Sequence, residues 1–108
     1  MNRNLTRGET EILNNADFQP WKNLAYAIVL RAAEDYERAL RAAYRQANLK
    51  GKIETLTLSK IADCERFFRS QWMYELTGDV VTGDHVMRAV RKKVKKWEEK
   101  KAVHGWKL

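Results

Sequence analysis

The feature that most constrains the fold is a long stretch of helical periodicity from about Pro20 to Asn48. Its apolar residues recur at the i, i+3, i+4, i+7 spacing that places side chains on one face of an α-helix. These residues are Ala25, Ile28, Val29, Ala32, Tyr36, Ala39, Leu40 and Ala43. Pro20 suits the first turn of a helix, and Gly51 is a natural stop. At ~1.5 Å per residue the helix would be about 40 Å long, so we expect it to be the backbone of the domain.

A second apolar pattern predicts a helix from about Leu58 to Thr77, ended by Gly78. Its apolar residues form two stripes, which would contact neighbours on two sides. We therefore expect this helix to be the central element of the fold. Phe68 and Trp72 lie on one of the stripes, and their spacing predicts that both belong to the core.

A third helix is predicted from about Gly83 to Val103, with Thr82 or Asp84 as its cap and Gly105 as its end. Its apolar positions occupy one arc of the helix surface. They are Val86, Met87, Val90, Val94 and Trp97.

These three helices predict an all-α fold, a compact three-helix bundle formed by a single domain of residues 1–108. One proline and five glycines leave little room for flexible linkers. Residues 1–23 are the least regular, and we expect an irregular or short-helical arm there, with a short helix near Glu9–Asn14. Residues 88–108 are expected to be a basic C-terminal helix and tail.

The basic residues are concentrated at the C-terminal end. Residues 88–108 carry nine Lys or Arg and two Glu, which accounts for the whole net charge of +7, whereas residues 1–87 carry twelve residues of each sign. Clustered charge produces a local field that scattered charge does not. The distribution predicts a surface that binds a polyanion, either nucleic acid or a nucleoprotein complex.

The candidate anion-binding residues lie on the third helix, and we expect them diametrically opposite its apolar arc. They are Arg88, Arg91, Lys92, Lys95 and Lys96. Lysine outnumbers arginine, which favours contact with a phosphate backbone over bidentate reading of bases. Two alternatives remain open. The face can simply be solvated, with cations favoured near a helix C-terminus, or it can bind a membrane surface. We expect no membrane partner, because the apolar arc is needed for the core.

A second candidate set, for binding a partner, lies on the polar strip of the second helix. It consists of Arg66, Arg69 and Ser70. Arginine beside aromatic residues can stack on bases or bind an acidic partner. The alternative is that local carboxylates hold these arginines.

Catalytic and metal-binding patterns are not found in the sequence. Cys64 has no histidine near it in sequence, and His85 and His104 with one cysteine form no recognisable metal set. No glycine-rich phosphate loop is present. We therefore expect a non-enzymatic protein without a cofactor or metal. The lone cysteine and the lack of a long apolar run fit a cytoplasmic protein.

The order of motifs across roughly residues 24–93 is similar to the order found in a known protein family. The matching groups are Ala27–Leu30 with Asp35, Tyr36, Ala39 and Leu40; Glu65–Ser70 with Trp72; and Leu76 and Thr77 with Arg91 and Lys92. In these motifs the chain resembles a family of small helical proteins encoded by phages and prophages of Gram-positive bacteria.

The resemblance implies a phage origin, a helical fold and the cytoplasm of a bacterial host, rather than a particular activity. By analogy with small phage proteins, an alternative function is a protein-binding, anti-CRISPR-like inhibitor of host defence that acts on a nucleoprotein effector. A third alternative is a structural homodimer formed through the alanine-rich long helix.

Overall fold

The computed structural model describes residues 20–78 and 81–105, and within these ranges all the regular structure is helical. Helix α1 spans Pro20–Lys50, α2 spans Thr55–Phe68, α3 spans Gln71–Thr77 and α4 spans Gly83–His104. The predicted all-α class is confirmed. The number of helices differs, because the described residues form four helices where the sequence predicted three. The short helix expected near Glu9–Asn14 and the end of the basic tail lie outside the described residues.

Helices α1 and α2 each contact the other three helices, and the interfaces of α1 are the more extensive. The predicted second helix thus has neighbours on two sides as expected, but it shares the central position with α1. The buried face of α1 follows the predicted periodicity; it consists of Ala25, Val29, Tyr36, Ala39 and Ala43. Gly51 ends α1 as expected, with a φ of 76° that an L side chain rarely adopts and a backbone hydrogen bond of 3.1 Å to the Ala47 carbonyl.

The predicted second helix is interrupted at Arg69 and Ser70, so it forms two helices instead of one. The Ser70 hydroxyl donates to the Phe67 carbonyl at 2.6 Å and accepts from the Met73 amide at 3.3 Å, which starts α3 as an N-cap. The interruption changes which side chains face the core. Phe68 is buried as predicted, but Met73 is buried in place of Trp72, which is 55% exposed. The assignment of Trp72 to the core is wrong for this reason.

Helix α4 begins with a close approach to the end of α2. The Thr82 hydroxyl caps α4 by accepting from the His85 amide at 3.1 Å, as the sequence predicted. Gly83 is buried, and a Cβ on it would overlap the backbone carbonyl oxygen of Phe68. A glycine is therefore required where α4 meets α2.

Helix α4 runs in the same direction as α1. Its residues 91, 93 and 97 contact residues 36, 37 and 41 of α1 in that order. The core lies between α1 and the other helices and consists of Val29, Tyr36, Phe68, Met73, Met87, Val90 and Val94. Helix α4 therefore presents its apolar arc to α1 and its opposite side to solvent.

Candidate anion-binding surface

The basic residues of α4 differ in their angular distance from its buried stripe. Val94 is fully buried and marks the centre of that stripe. At about 100° per residue, Lys92 and Lys96 lie about 160° from Val94, whereas Arg91 lies only about 60° away. Arg88 and Lys95 lie at intermediate angles of about 120° and 100°. The expectation that all five candidates are diametrically opposite the apolar arc therefore fits Lys92 and Lys96 and is wrong for Arg91. It lies on the flank of α4 that meets α2.

Arg91 joins three helices through a buried tyrosine and a carboxylate. Tyr36 of α1 donates its hydroxyl proton to Glu65 Oε2 of α2 at 2.7 Å. Arg91 donates from Nε to the Tyr36 hydroxyl oxygen at 2.8 Å and from Nη2 to Glu65 Oε2 at 2.9 Å. Because the Tyr36 hydroxyl both donates and accepts, the three groups form a closed ring of hydrogen bonds.

Near neutral pH, Glu65, Tyr36 and Arg91 are in the protonation states that these hydrogen bonds require. The hydrogen bonds from Tyr36 and then Arg91 hold the pKa of Glu65 below its ordinary value, so Glu65 is a carboxylate. Burial, with the hydrogen bond to Glu65, raises the pKa of Tyr36 to about 12, so Tyr36 keeps its proton. The hydrogen bond to Glu65 also raises the pKa of Arg91. The network is therefore a fixed interhelical contact.

Lys93 attaches the other flank of α4 to α1. Its Nζ lies 2.9 Å from Glu37 Oε1, and Arg41 Nη2 lies 2.9 Å from Glu37 Oε2. The Arg41 guanidinium also lies over the Trp97 ring, 4.9 Å from its centroid. Glu37 therefore forms ion pairs with Arg41 of α1 and with Lys93 of α4. Arg91 and Lys93 are consequently both partnered with carboxylates of the body.

The remaining candidate cations of α4 are exposed and form no ion pair with any described residue. We call them the outer strip; its members are Arg88, Lys92, Lys95 and Lys96. Their one side-chain hydrogen bond to a described residue is a long contact of 3.4 Å from Arg88 Nε to the Asp84 carbonyl within α4. Glu99 follows one turn after Lys95 and is also exposed. The outer strip thus has its charge available to an external anion.

The predicted partner-binding residues are not brought together as a set. Ser70 uses its hydroxyl to cap α3, and Arg66 lies 2.8 Å from Asp63 on the exposed side of α2. Arg69 Nη1 instead lies 3.7 Å from Glu65 Oε1, on the carboxylate whose other oxygen accepts from Arg91. The sequence does not reveal this neighbourhood, because Glu65 and Arg91 are 26 residues apart and meet only through helix packing.

Other possible sites carry less chemistry. Burial, followed by the nearby Asp35 charge, raises the pKa of the Cys64 thiol and disfavours a nucleophilic thiolate. Cys64 lines a groove of about 580 Å³ between α1 and α2, along with Ala39 and Ala42. Among the residues that the structure describes, no three potential ligands are grouped to hold a metal ion. No helix in that part of the chain is long and apolar enough to cross a membrane.

Comparisons with known proteins do not identify a relative. No protein-family model matches the chain, and neither the curated proteins nor the solved structures compared with it gave a match. The resemblance to phage proteins therefore stays a prediction.

Proposed function

We propose that this protein is a non-enzymatic accessory protein that binds double-stranded nucleic acid by its phosphate backbone, through the outer strip of α4. The observation that carries this proposal is the unequal pairing of cations on one helix. Arg91 and Lys93 are held by Glu65 and Glu37, whereas the outer strip has no acidic partner among the described residues. Unpaired clustered cations attract a polyanion and release its counterions on binding.

The composition of the outer strip favours backbone contact. Three of its four members are lysines, which interact with phosphate as point charges and do not match the paired acceptors on a base edge. Arg88, Lys92 and Lys96 follow one another at four-residue spacing, about 6 Å apart along the helix axis. Duplex DNA carries one charge per ~1.7 Å of its axis, so each of these cations has a phosphate within reach.

The same composition favours a duplex over a single strand. Proteins that bind single strands without sequence preference usually stack bases on aromatic side chains. No member of the outer strip is aromatic, and Trp97 faces Arg41 of α1 on the other side of α4. Charge without a stacking surface fits a duplex, whose bases are already stacked on one another.

A charge-reversal experiment tests this function. We expect the triple variant Lys92→Glu, Lys95→Glu and Lys96→Glu to lose binding to a short fluorescent DNA duplex, measured by anisotropy between about 50 and 200 mM salt. The slope of log K against log salt should become shallower by about 0.9 for each phosphate that the variant no longer neutralises. A single strand of the same length should bind more weakly than the duplex to the wild-type protein.

The matched control reverses three other exposed cations that form no ion pair in the described part of the chain: Arg45, Lys52 and Lys60. This control lowers the net charge by the same amount but leaves α4 intact. It should keep most of the wild-type affinity and slope. Equal losses in both variants would show that net charge alone drives binding. Retention of binding by the α4 variant would contradict the proposed function.

A further inference from the structure

Arg69 and Arg91, which the sequence placed in two separate candidate sets, meet at one carboxylate. Glu65 Oε2 accepts from Arg91 Nη2 at 2.9 Å, and Glu65 Oε1 lies 3.7 Å from Arg69 Nη1. Arg69 belongs to the end of α2 and Arg91 to the middle of α4. Each guanidinium group therefore approaches a different oxygen of Glu65, at the seam where α2 packs against α4.

Both arginines keep donors that the protein does not use. A guanidinium carries five N–H donors. Arg91 uses Nε and one Nη2 proton for Tyr36 and Glu65, and no described residue accepts from its Nη1. Among the described residues, the Arg69 side chain contacts only Glu65, through the long ion pair. The Arg69 side chain is 59% exposed and the Arg91 side chain 46% exposed, so solvent and ligands can reach their remaining donors.

We propose that Arg69 and Arg91 form a phosphate clamp across the α2–α4 seam, which fixes the position of a nucleic-acid duplex bound on the outer strip. This inference rests on the proposed function. A phosphate at the seam would accept charge-assisted hydrogen bonds from both guanidinium groups, in the planar geometry that arginine provides and lysine does not. The lysines of the outer strip attract the duplex, and the clamp fixes the orientation of the bound duplex.

Glu65 is the positioning residue of this clamp. Its two oxygens face Tyr36, Arg91 and Arg69, and its single negative charge is outweighed by the two guanidinium charges. The cluster keeps a net charge of one positive unit for an incoming phosphate. Because Tyr36 is fully buried, it holds Glu65 and Arg91 at a constant position relative to the core.

The clamp is tested by variants that keep the positive charge but replace the planar guanidinium group with an ammonium group. We expect Arg69→Lys combined with Arg91→Lys to bind a short DNA duplex about tenfold more weakly, because charge-assisted hydrogen bonds to the phosphate are removed. The salt slope should stay at the wild-type value, since no cation is removed. Arg66→Lys is the matched control on α2, because Arg66 pairs with Asp63 rather than Glu65. It should bind like the wild type.

Two further variants separate binding from folding and from net charge. Arg69→Lys alone leaves the Tyr36–Glu65–Arg91 ring intact, and we expect it to lose part of the tenfold affinity with an unchanged thermal midpoint. Glu65→Gln raises the net charge by one, so attraction by charge alone predicts tighter binding. The clamp predicts weaker binding, because the guanidinium groups lose their orientation.

The outcomes separate the clamp from the function on which it rests. Wild-type affinity in both the double lysine variant and Arg69→Lys, or tighter binding by Glu65→Gln, would overturn the clamp. The proposed function would stand if the charge reversal on α4 still abolished binding. If the wild-type protein does not bind the duplex, both proposals are contradicted.

Discussion

Lys92 and Lys93 are adjacent and chemically identical, yet α4 places them in different surroundings. Lys93 lies on the flank that faces α1, with its Nζ 2.9 Å from Glu37 Oε1. Lys92 points away from the body and forms no ion pair within the described ranges. Lys95 lies at the same angular distance from Val94 as Lys93, about 100°, but on the opposite flank, where it forms no ion pair with a described residue. The comparison shows that a cation is held where a carboxylate of the body faces its side of the helix. A basic run on a helix therefore contains both attachment residues and candidate binding residues.

The same contrast separates the two arginines that precede these lysines. Arg91 lies on the flank of α4 and completes a ring with Tyr36 and Glu65. Arg88 belongs to the outer strip, and its one polar contact with a described residue is to the backbone of its own helix. Substitution of Lys93 should change stability, and substitutions on the outer strip should change binding. Substitution of Arg91 should change both, because Arg91 belongs to the ring and to the proposed clamp.

The largest effect is expected where α4 is closest to α2. In Gly83→Ala the new methyl group would overlap the Phe68 carbonyl oxygen, so α4 must shift away from α2. Because backbone has to move, we expect the free energy of unfolding to fall by about 3 kcal/mol. Urea unfolding followed by circular dichroism measures the change. A loss smaller than that of a typical surface substitution, about 0.5 kcal/mol, would contradict the close approach.

A smaller effect is expected from Tyr36→Phe, which removes one hydroxyl from the ring. Glu65 and Arg91 each lose a hydrogen bond, and the unfolding free energy at neutral pH should fall by about 1.5 kcal/mol. This difference in unfolding free energy between the wild type and Tyr36→Phe should become smaller at acid pH. The stabilisation by Glu65 is complete above its ordinary pKa of 4.5 and is lost as the pH falls through its lower folded pKa.

Urea unfolding of wild type and Tyr36→Phe across the acid range checks this expectation. Tyr26→Phe is a control for the loss of a phenolic hydroxyl, because Tyr26 is exposed on α1. Parallel stability curves for the wild type and Tyr36→Phe throughout the acid range would show that Tyr36 does not influence the ionisation of Glu65.

Much of the fold could be predicted because apolar periodicity is a local property of the sequence. The start of α4 and the stops at Gly51 and Gly78 agree with the structure within a residue or so. The interruption at Ser70 could not be predicted in the same way, since Phe68 and Trp72 continue one stripe in phase. A serine hydroxyl that caps a new helix looks the same in sequence as one on the surface of a continuous helix.

The candidate site was only partly predictable for a related reason. The accumulation of cations on α4 is visible in the sequence, and the angle of Arg91 from Val94 already indicates a flank position. The partners of Arg91 are not visible, because Tyr36 and Glu65 lie 55 and 26 residues away and meet it only after three helices pack. Ion pairs between helices depend on tertiary distances, which periodicity does not contain.

The most direct test of binding through the outer strip compares Lys92→Ala with Lys93→Ala in duplex binding as a function of salt. Both variants lose one positive charge, so they have the same net charge and differ only in position. We predict that Lys92→Ala lowers the magnitude of the slope of log K against log salt by about 0.9, while Lys93→Ala keeps the wild-type slope. Equal slopes in the two variants, or a larger change in Lys93→Ala, would contradict the assignment of binding to the outer strip.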